Sequence, residues 1–378
     1  MAGPLQGLVV TELAGLGPAP FAGMVLADLG ARVIRVDKIG GGGLFPPSPN
    51  DILNRGRESI AVDLKTPGAV EVVLRLVAGS EALIEGFRPG VTERLGVGPG
   101  ECLAHNPALV YGRMTGWGQD GPMSPVAGHD IDYIALSGAL HPVGTADDPI
   151  LPLNLVGDFG GGGMLLALGV VAGVLHARET GRGQVVDAAM VDGSALLTAS
   201  HHGFLADGWW QPRRASNLLD GAAPFYTTYR TSDGNHVAVG ALEPQFFAAL
   251  LEGLGLVPGD VCPQNDRVGW PAMRERFAER FATMTRDEWA AHFEGTDACV
   301  APVLSLVEAP AHPHNLARET FRDVGGVMQP GPAPRFSVTQ PELGRKPANP
   351  GDDTDAVLAS LGYSKKEIGT LRSSGSVA

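Results

Sequence analysis

The chain has 378 residues, 44% apolar and 18% charged, which is enough to bury cores in two domains and argues against global disorder. Its 28 basic and 41 acidic residues leave a net charge of −13 with no basic run, which argues against a nucleic-acid partner. The three cysteines, Cys102, Cys262 and Cys299, are too scattered for a disulfide framework or a zinc ribbon.

Leu8–Glu12 reads as a strand, Pro20–Leu29 as a helix and Arg32–Asp37 as the next strand. A loop rich in Gly and Pro, Gly40 to Pro49, leads to a strand near Ile60–Asp63. Pro67 then opens a helix over Gly68–Ala78. Strands at Ala82–Glu85 and Leu109–Met114 continue an alternation that predicts a Rossmann-like parallel sheet with helices on both faces. Ligands of such sheets bind beyond the carboxyl ends of the strands, so Lys38, Lys65, Arg88 and the Gly116–Gly118 segment stand out. The longest apolar run, Met164 to Leu175, reads as a buried helix too short to cross a bilayer.

Ser194 to Gly221 has no clear period and reads as a long connection. Phe225–Arg230 and His236–Val239 form a hairpin about Ser232-Asp233-Gly234. Helical patterns at Pro244–Leu254, Met273–Thr283 and Asp287–Phe293 complete a smaller α+β domain. The proline-rich stretch from Pro302 to Pro350 reads as a second connector, and Asp353–Leu371 as a closing helix. The N-terminus shows no signal-peptide pattern and the C-terminus is not a peroxisomal tripeptide. The expectation is a cytoplasmic protein, of bacterial type, with no membrane partner.

Several side chains invite chemistry. The Gly15–Gly23 turn with Asp37 resembles a dinucleotide fingerprint, but G-x-G-x-x-G is absent and Pro18 and Pro20 occupy the turn, so a strand-to-helix turn is the better reading. His129 precedes a helix start. Asp158 is followed by Phe159 and four consecutive glycines, a costly helix opening, so something should approach that backbone closely. Glu243 lies between a strand and Pro244, where an acidic first-turn residue is ordinary. His201-His202 and His312 with His314 lack matching metal ligands, and Ser137 and Ser194 lack a nucleophile elbow.

Six segments together carry a family resemblance: Ala127-Gly-His-Asp-Ile-Asp-Tyr133, Pro152-Leu-Asn-Leu-Val-Gly-Asp-Phe-Gly-Gly-Gly-Gly163, Gly181-Arg-Gly-Gln-Val-Val-Asp-Ala-Ala-Met-Val-Asp192, Asp220-Gly-Ala-Ala-Pro-Phe-Tyr226, Val239-Gly-Ala-Leu-Glu-Pro-Gln-Phe246 and Thr296-Asp-Ala-Cys-Val-Ala-Pro302. From Leu5 to the last helix the chain resembles the family III CoA-transferase group, and within it the racemase branch that acts on 2-methylacyl-CoA thioesters. The resemblance implies an interlocked homodimer. Its large CoA-binding domain would be discontinuous, residues 1–190 plus 330–378. A connector at 191–224, a small α+β domain at 225–312 and a return connector at 313–329 would complete the chain.

By the same resemblance His129 and Asp158 are the acid/base pair, and Glu243 supports the histidine. The acyl-CoA would be held by Lys38, Val62, Asp63, Leu64, Lys65, Gly86, Phe87, Arg88, Arg94, Gly128, Asp130, Ile131, Asp132 and Tyr133, with no metal and no cofactor beyond the substrate's own CoA. Inverting a carbon that bears an α-proton needs a base on one face and an acid on the other. Main-chain N–H groups of the glycine-rich stretch are expected to meet the enolate oxygen. Two positions depart from the pattern: Lys38-Ile39 replaces the usual Arg-Pro, and Asp132 replaces an Asn. The alternatives are a family III CoA-transferase with Asp158 as nucleophile, and a CoA-binding protein without catalysis.

Overall fold

The computed structural model describes residues 3–41 and 48–378; residues 42–47, the middle of the expected Gly40–Pro49 loop, lie outside that range. Six segments rich in β-branched residues pair in parallel: β1 (Val9–Leu13), β2 (Arg32–Lys38), β3 (Arg57–Val62), β4 (Ala82–Glu85), β5 (Val110–Thr115) and β6 (Gln184–Ala189). Their order is β3-β2-β1-β4-β5-β6, the doubly wound arrangement in which the chain reverses between β1 and β4. The sheet is covered on both faces, so its central strands read as continuous apolar runs.

One face packs under α1 (Pro18–Asp28), and the other under α2 (Pro67–Ala78). Further along the chain come α3 (Val91–Arg94), α4 (Pro99–His105), α5 (Asp130–Leu136), α6 (Leu165–Thr180) and α7 (Met190–Leu197). Ala22 and Leu26 of α1 join Leu166 and Val170 of α6 over Val10, Val33 and Val110. Across the sheet Val72, Val73 and Leu76 of α2 meet Cys102 of α4 and Ile34, Ile60 and Leu83. Burial of each large aliphatic side chain contributes about 1.5–3 kcal/mol, so these two layers supply most of the driving force.

The chain divides into two compact units. The first is Met1–Ala139, Pro152–Thr198 and Arg318–Ala378, and the second is Leu140–Leu151 with Ala199–Ala317. In the second unit α8 (Ala199–Ala206) precedes an antiparallel sheet of β7 (Tyr226–Arg230), β8 (His236–Gly240) and β9 (Val300–Pro302). Helices α9 (Pro244–Gly253), α10 (Trp270–Phe281) and α11 (Arg286–His292) close an aromatic core in which Phe281 stacks on Tyr229 and meets Trp289 edge-on. A short α12 (Pro313–Ala317) ends that unit.

Back in the first unit, the hairpin of β10 (Phe321–Asp323) and β11 (Met328–Pro330) precedes α13 (Thr354–Ser360) and α14 (Lys365–Ser373). Val357, Leu358 and Ile368 sink into the α2 layer, and the Ala378 N–H donates to the Ala61 carbonyl of β3 at 3.0 Å.

Four expectations need correction. The stretch beginning at Ser194 is helical as far as Ala206; Leu196, Leu197 and Leu205 point outward, which erased the one-sided apolar period that would have revealed α7 and α8. The closing helix is two helices, broken where Gly362 takes φ +87°. The Pro302–Pro350 connector contains a helix and a hairpin. The apolar run is part of a continuous helical segment, Leu155–Thr180, of 26 residues, long and apolar enough by composition to cross a membrane. Of its most apolar window 44% is buried, with Leu166 and Val170 in the core.

Charge is buried inside the first sheet. Glu12 of β1 is 0% exposed, and its Oε2 lies 2.7 Å from Nε of Arg57, itself 1% exposed. Arg57 also donates to the carbonyls of Leu53 and Pro20 and to Asn54 Oδ1. A Cβ on Gly23 of α1 would collide with both charged groups, so glycine is required there. Burial pushes the Glu12 carboxyl up to about 7, and Arg57 pulls against that shift. Arg57→Met leaves an unmatched buried carboxylate and should cost about 3–5 kcal/mol in urea denaturation, whereas Glu12→Leu with Arg57→Met should recover most of that loss.

Candidate active site

The carboxyl ends of β1, β2 and β3 open into a cavity of about 470 Å³, within the roughly 300–1,000 Å³ range of small-molecule sites. Leu13 to Leu16 form its β1 wall, Val36 to Lys38 its β2 wall, and Val62 to Lys65 its β3 wall; Phe87 and Leu95 reach it from beyond β4. Of the residues expected to hold CoA, the structure therefore gathers Lys38, Val62, Asp63, Leu64, Lys65 and Phe87 around one space.

Two further wall residues belong to β2: Asp37, met in the sequence only as part of a dinucleotide-like turn, and Arg35, which mid-strand position left unread. Asp37 is already engaged: its Oδ2 accepts from Arg35 Nε at 2.7 Å and from Ser59 Oγ at 2.6 Å. The last wall, Pro347 to Pro350, comes from a stretch read as a connector, and no local signal marks it.

Arg88 and Arg94 stand apart from that wall. Gly86, Phe87 and Arg88 form the turn after β4, pinned because Glu85 Oε2 accepts the Phe87 N–H at 2.6 Å. Arg113 of β5 holds Glu85 Oε1 at 3.0 Å and Glu93 Oε1 of α3 at 2.8 Å, so the turn and the helix bearing Arg94 share one anchor. Burial pushes the Glu85 carboxyl up to about 7 against the bonds from Phe87 and Arg113.

At the amino end of α5, His129 is exposed and its N–H donates to Asp132 Oδ2 at 2.9 Å. Ile131 is 43% exposed and Asp132 also faces solvent, whereas Asp130 and Tyr133 turn inward. The Tyr133 ring lies against Gly116 and Gly128 and edge-on to Trp117, and its hydroxyl donates to the Gly128 carbonyl. Burial pushes the Tyr133 phenol up to about 12, with nearby Arg88 opposing the shift. The Gly116–Gly118 segment thus packs on Tyr133 rather than lining the cavity.

Asp158 sits in Leu155–Met164, a π-helical turn that runs into α6. The glycines there meet protein. A Cβ on Gly161 would come within 2.6 Å of the Ser194 nitrogen on α7, and one on Gly163 within 2.7 Å of Phe21 and of the Pro18 carbonyl. The expected close approach is made by α1 and α7. The Asp130 carboxylate accepts the Asp158 N–H at 2.6 Å, so that donor is not free for an enolate.

The Asp158 carboxylate itself is half-buried. Asn154 Nδ2 donates to its Oδ2 at 2.9 Å, and Gly17, at φ +67°, leaves room for it. Gly17 follows directly on the Leu13–Leu16 wall, so the cavity and Asp158 share one loop. Burial raises the Asp158 carboxyl above its ordinary range, Asn154 and His129 oppose this, and Asp130 adds to it. His129 and Asp158 thus lie within electrostatic reach of each other.

Glu243, in the second unit, is exposed at the start of α9, where its carbonyl accepts the Phe247 N–H at 2.9 Å. Cys299, at φ +52°, lies close enough for Glu243 to raise its thiol, burial being the larger cause.

Fold and cavity together define a doubly wound α/β protein with a pocket large enough for a nucleotide at its strand ends. The chain belongs to CoA-transferase family III, which matches residues 5–354. It is 47% identical to the α-methylacyl-CoA racemase of Mus musculus over 373 residues, covering 98% of this chain and 96% of the relative. The Homo sapiens α-methylacyl-CoA racemase is 45% identical, with the same coverage of 98% and 96%. A succinyl-CoA:glutarate CoA-transferase of Mus musculus is 32% identical, covering 98% and 90%. Among solved structures, a CAIB/BAIF family protein from Brucella suis superposes with a TM-score of 0.82 at 27% identity, covering 96% of this chain and 100% of that one.

Titration of the Asp158 carboxyl by NMR should give a midpoint above that of an ordinary aspartate. Asn154→Ala should raise it further, because the lost hydrogen bond favoured the charged form.

Proposed function

We propose that the chain inverts the configuration at C2 of 2-methylacyl-CoA thioesters, the activity of an α-methylacyl-CoA racemase. The observation that carries this reading is the nearness of His129 to a half-buried Asp158 that packs against Gly17, on the loop leaving the cavity, in a chain 45–47% identical to two racemases over nearly its whole length. One group takes the α-proton, the C–H electrons move onto the thioester oxygen, and the other group delivers a proton to the opposite face. The two unlike groups must have similar proton affinities for both directions to run, and burial of Asp158 narrows the gap to imidazole.

In this reading the cavity holds the CoA nucleotide. Lys38 and Lys65 face its phosphates, Val62 to Leu64 and Phe87 line it, and Gly86, Arg88 and Arg94 act from the braced turn beyond β4. Gly128 and the residues after it shape the approach to C2. No metal or organic redox group takes part, because proton transfer through an enolate needs none. Three free cysteines fit a cytoplasmic setting. A second copy of the chain completes the site as an interlocked homodimer and brings its own Glu243 to support His129. Exposed Leu136, Met164, Leu168, Leu175 and Leu196 on the first unit offer the apolar area such a partner would cover.

Incubation of each 2-methylacyl-CoA epimer in D₂O should give α-deuteration and a near-equal mixture without metal, nicotinamide or acyl acceptor. His129→Ala and Asp158→Ala should each lower racemisation by roughly 10²–10⁴-fold while slow exchange survives for opposite epimers. Turnover that requires a free carboxylate acceptor would assign the chain to CoA transfer instead.

Lys38→Ala and Arg88→Ala should each raise KM more than they lower kcat, since they remove cations from the CoA handle and leave the reacting carbon alone. An unchanged KM for both at low salt would place the phosphates elsewhere.

A further inference from the structure

Asp130 follows His129 directly in the chain and is the first residue of α5. Its side chain turns away from solvent, with the residue only 9% exposed. There Oδ1 accepts the Asp158 N–H at 2.6 Å. A Cβ on Gly157 would run into that same oxygen, so the contact is tight enough to dictate glycine. One carboxylate is thus one peptide bond from His129 and one hydrogen bond from the main chain of Asp158, across 28 residues of sequence. The Asp158 N–H near the start of a 26-residue helical segment, with its positive dipole end, is a strong reason for it to stay there. Engaged in this way it is not poised to take a proton from a substrate carbon, nor does it point toward the CoA cavity.

We propose that Asp130 is a positioning residue, a strut that sets the separation and facing of His129 and Asp158 across the reacting carbon. The inference rests on the two-base reading above, and it replaces substrate contact as the role of this side chain. A racemase depends on this separation more than a one-base enzyme does, because both groups must reach the same carbon from opposite sides. Displacement of either by about 1 Å can lower the rate on the order of 10²-fold. CoA binding, governed by strand ends beyond the strut, should be nearly untouched.

The test compares the unaltered enzyme with Asp130→Asn, Asp130→Ala and Gly157→Ala in melting, racemisation kinetics and α-proton exchange with D₂O for each epimer. Asp130→Ala and Gly157→Ala should lower kcat on the order of 10²-fold with KM within about two-fold. Asp130→Asn, whose amide oxygen still accepts one N–H, should recover a large part of kcat. If Asp130→Ala fails to fold, Gly157→Ala and Asp130→Asn carry the comparison. A folded Asp130→Ala variant with normal kcat overturns the strut, and so does a loss confined to KM, which would make Asp130 a substrate contact. Absence of α-proton exchange in the unaltered enzyme overturns the two-base reading itself. Exchange present there and unchanged in the variants overturns only the strut.

Discussion

An ionised group inside a parallel sheet is stable only when a partner replaces the water it has lost, and this constraint organises the first unit. Glu12, Arg35 and Ser59 lie in register across β1, β2 and β3. Arg57 reaches back to close the row onto Glu12, and Asp37 ties Arg35 to Ser59. Breaking one member would strand another in a low-dielectric interior, which costs far more than a surface pair returns. Arg35 and Asp37 of this network also line the cavity, so two of its wall residues are fixed by buried ion pairing. Its counterpart on β4 and β5, Glu85 with Arg113, does the same for the turn that carries Phe87 and Arg88.

Glycine provides the second constraint. The residues after Asp158 would be a poor helix opening in isolation, yet the segment winds as a π-helical turn because α1 and α7 lie too close for side chains. Close packing of main chain against main chain replaces the side-chain contacts a normal helix start would use. It also explains why an aspartate in a helical segment stays half-buried: it sits where Gly17 and Gly157 leave room for carboxylates. The raised proton affinity of Asp158 follows from that burial and from the neighbouring Asp130 charge.

The same geometry separates two tasks that a CoA-dependent proton transfer must perform. In the proposed reaction, binding energy would come from a long nucleotide handle gripped at the strand ends, while chemistry would take place one loop further on, past Gly17. Interactions with the handle hold the reacting carbon in place without depending on its configuration, which suits an enzyme that must accept both epimers. In that proposal, selection between racemase and transferase chemistry falls to the group nearest Asp158, for which His129 is the candidate.

Much of this was legible in the residues. β-branched runs separated by helical periods dictated a parallel sheet, and strand ends dictated where Lys38 and Lys65 would gather, since both follow from local preference and the rule for open sheets. Arg88 and the Gly116–Gly118 segment, singled out by the same rule, lie off the cavity wall. Tertiary structure alone decided the rest. That Pro347 to Pro350 closes the cavity depends on a chain reversal from nearly 300 residues away. That α7 and α8 are helices is concealed by their outward leucines, because no one-sided period survives where an apolar face is left uncovered. That the Asp158 N–H serves Asp130 is a matter of which element packs nearest, and sequence spacing cannot encode a hydrogen bond made across a fold.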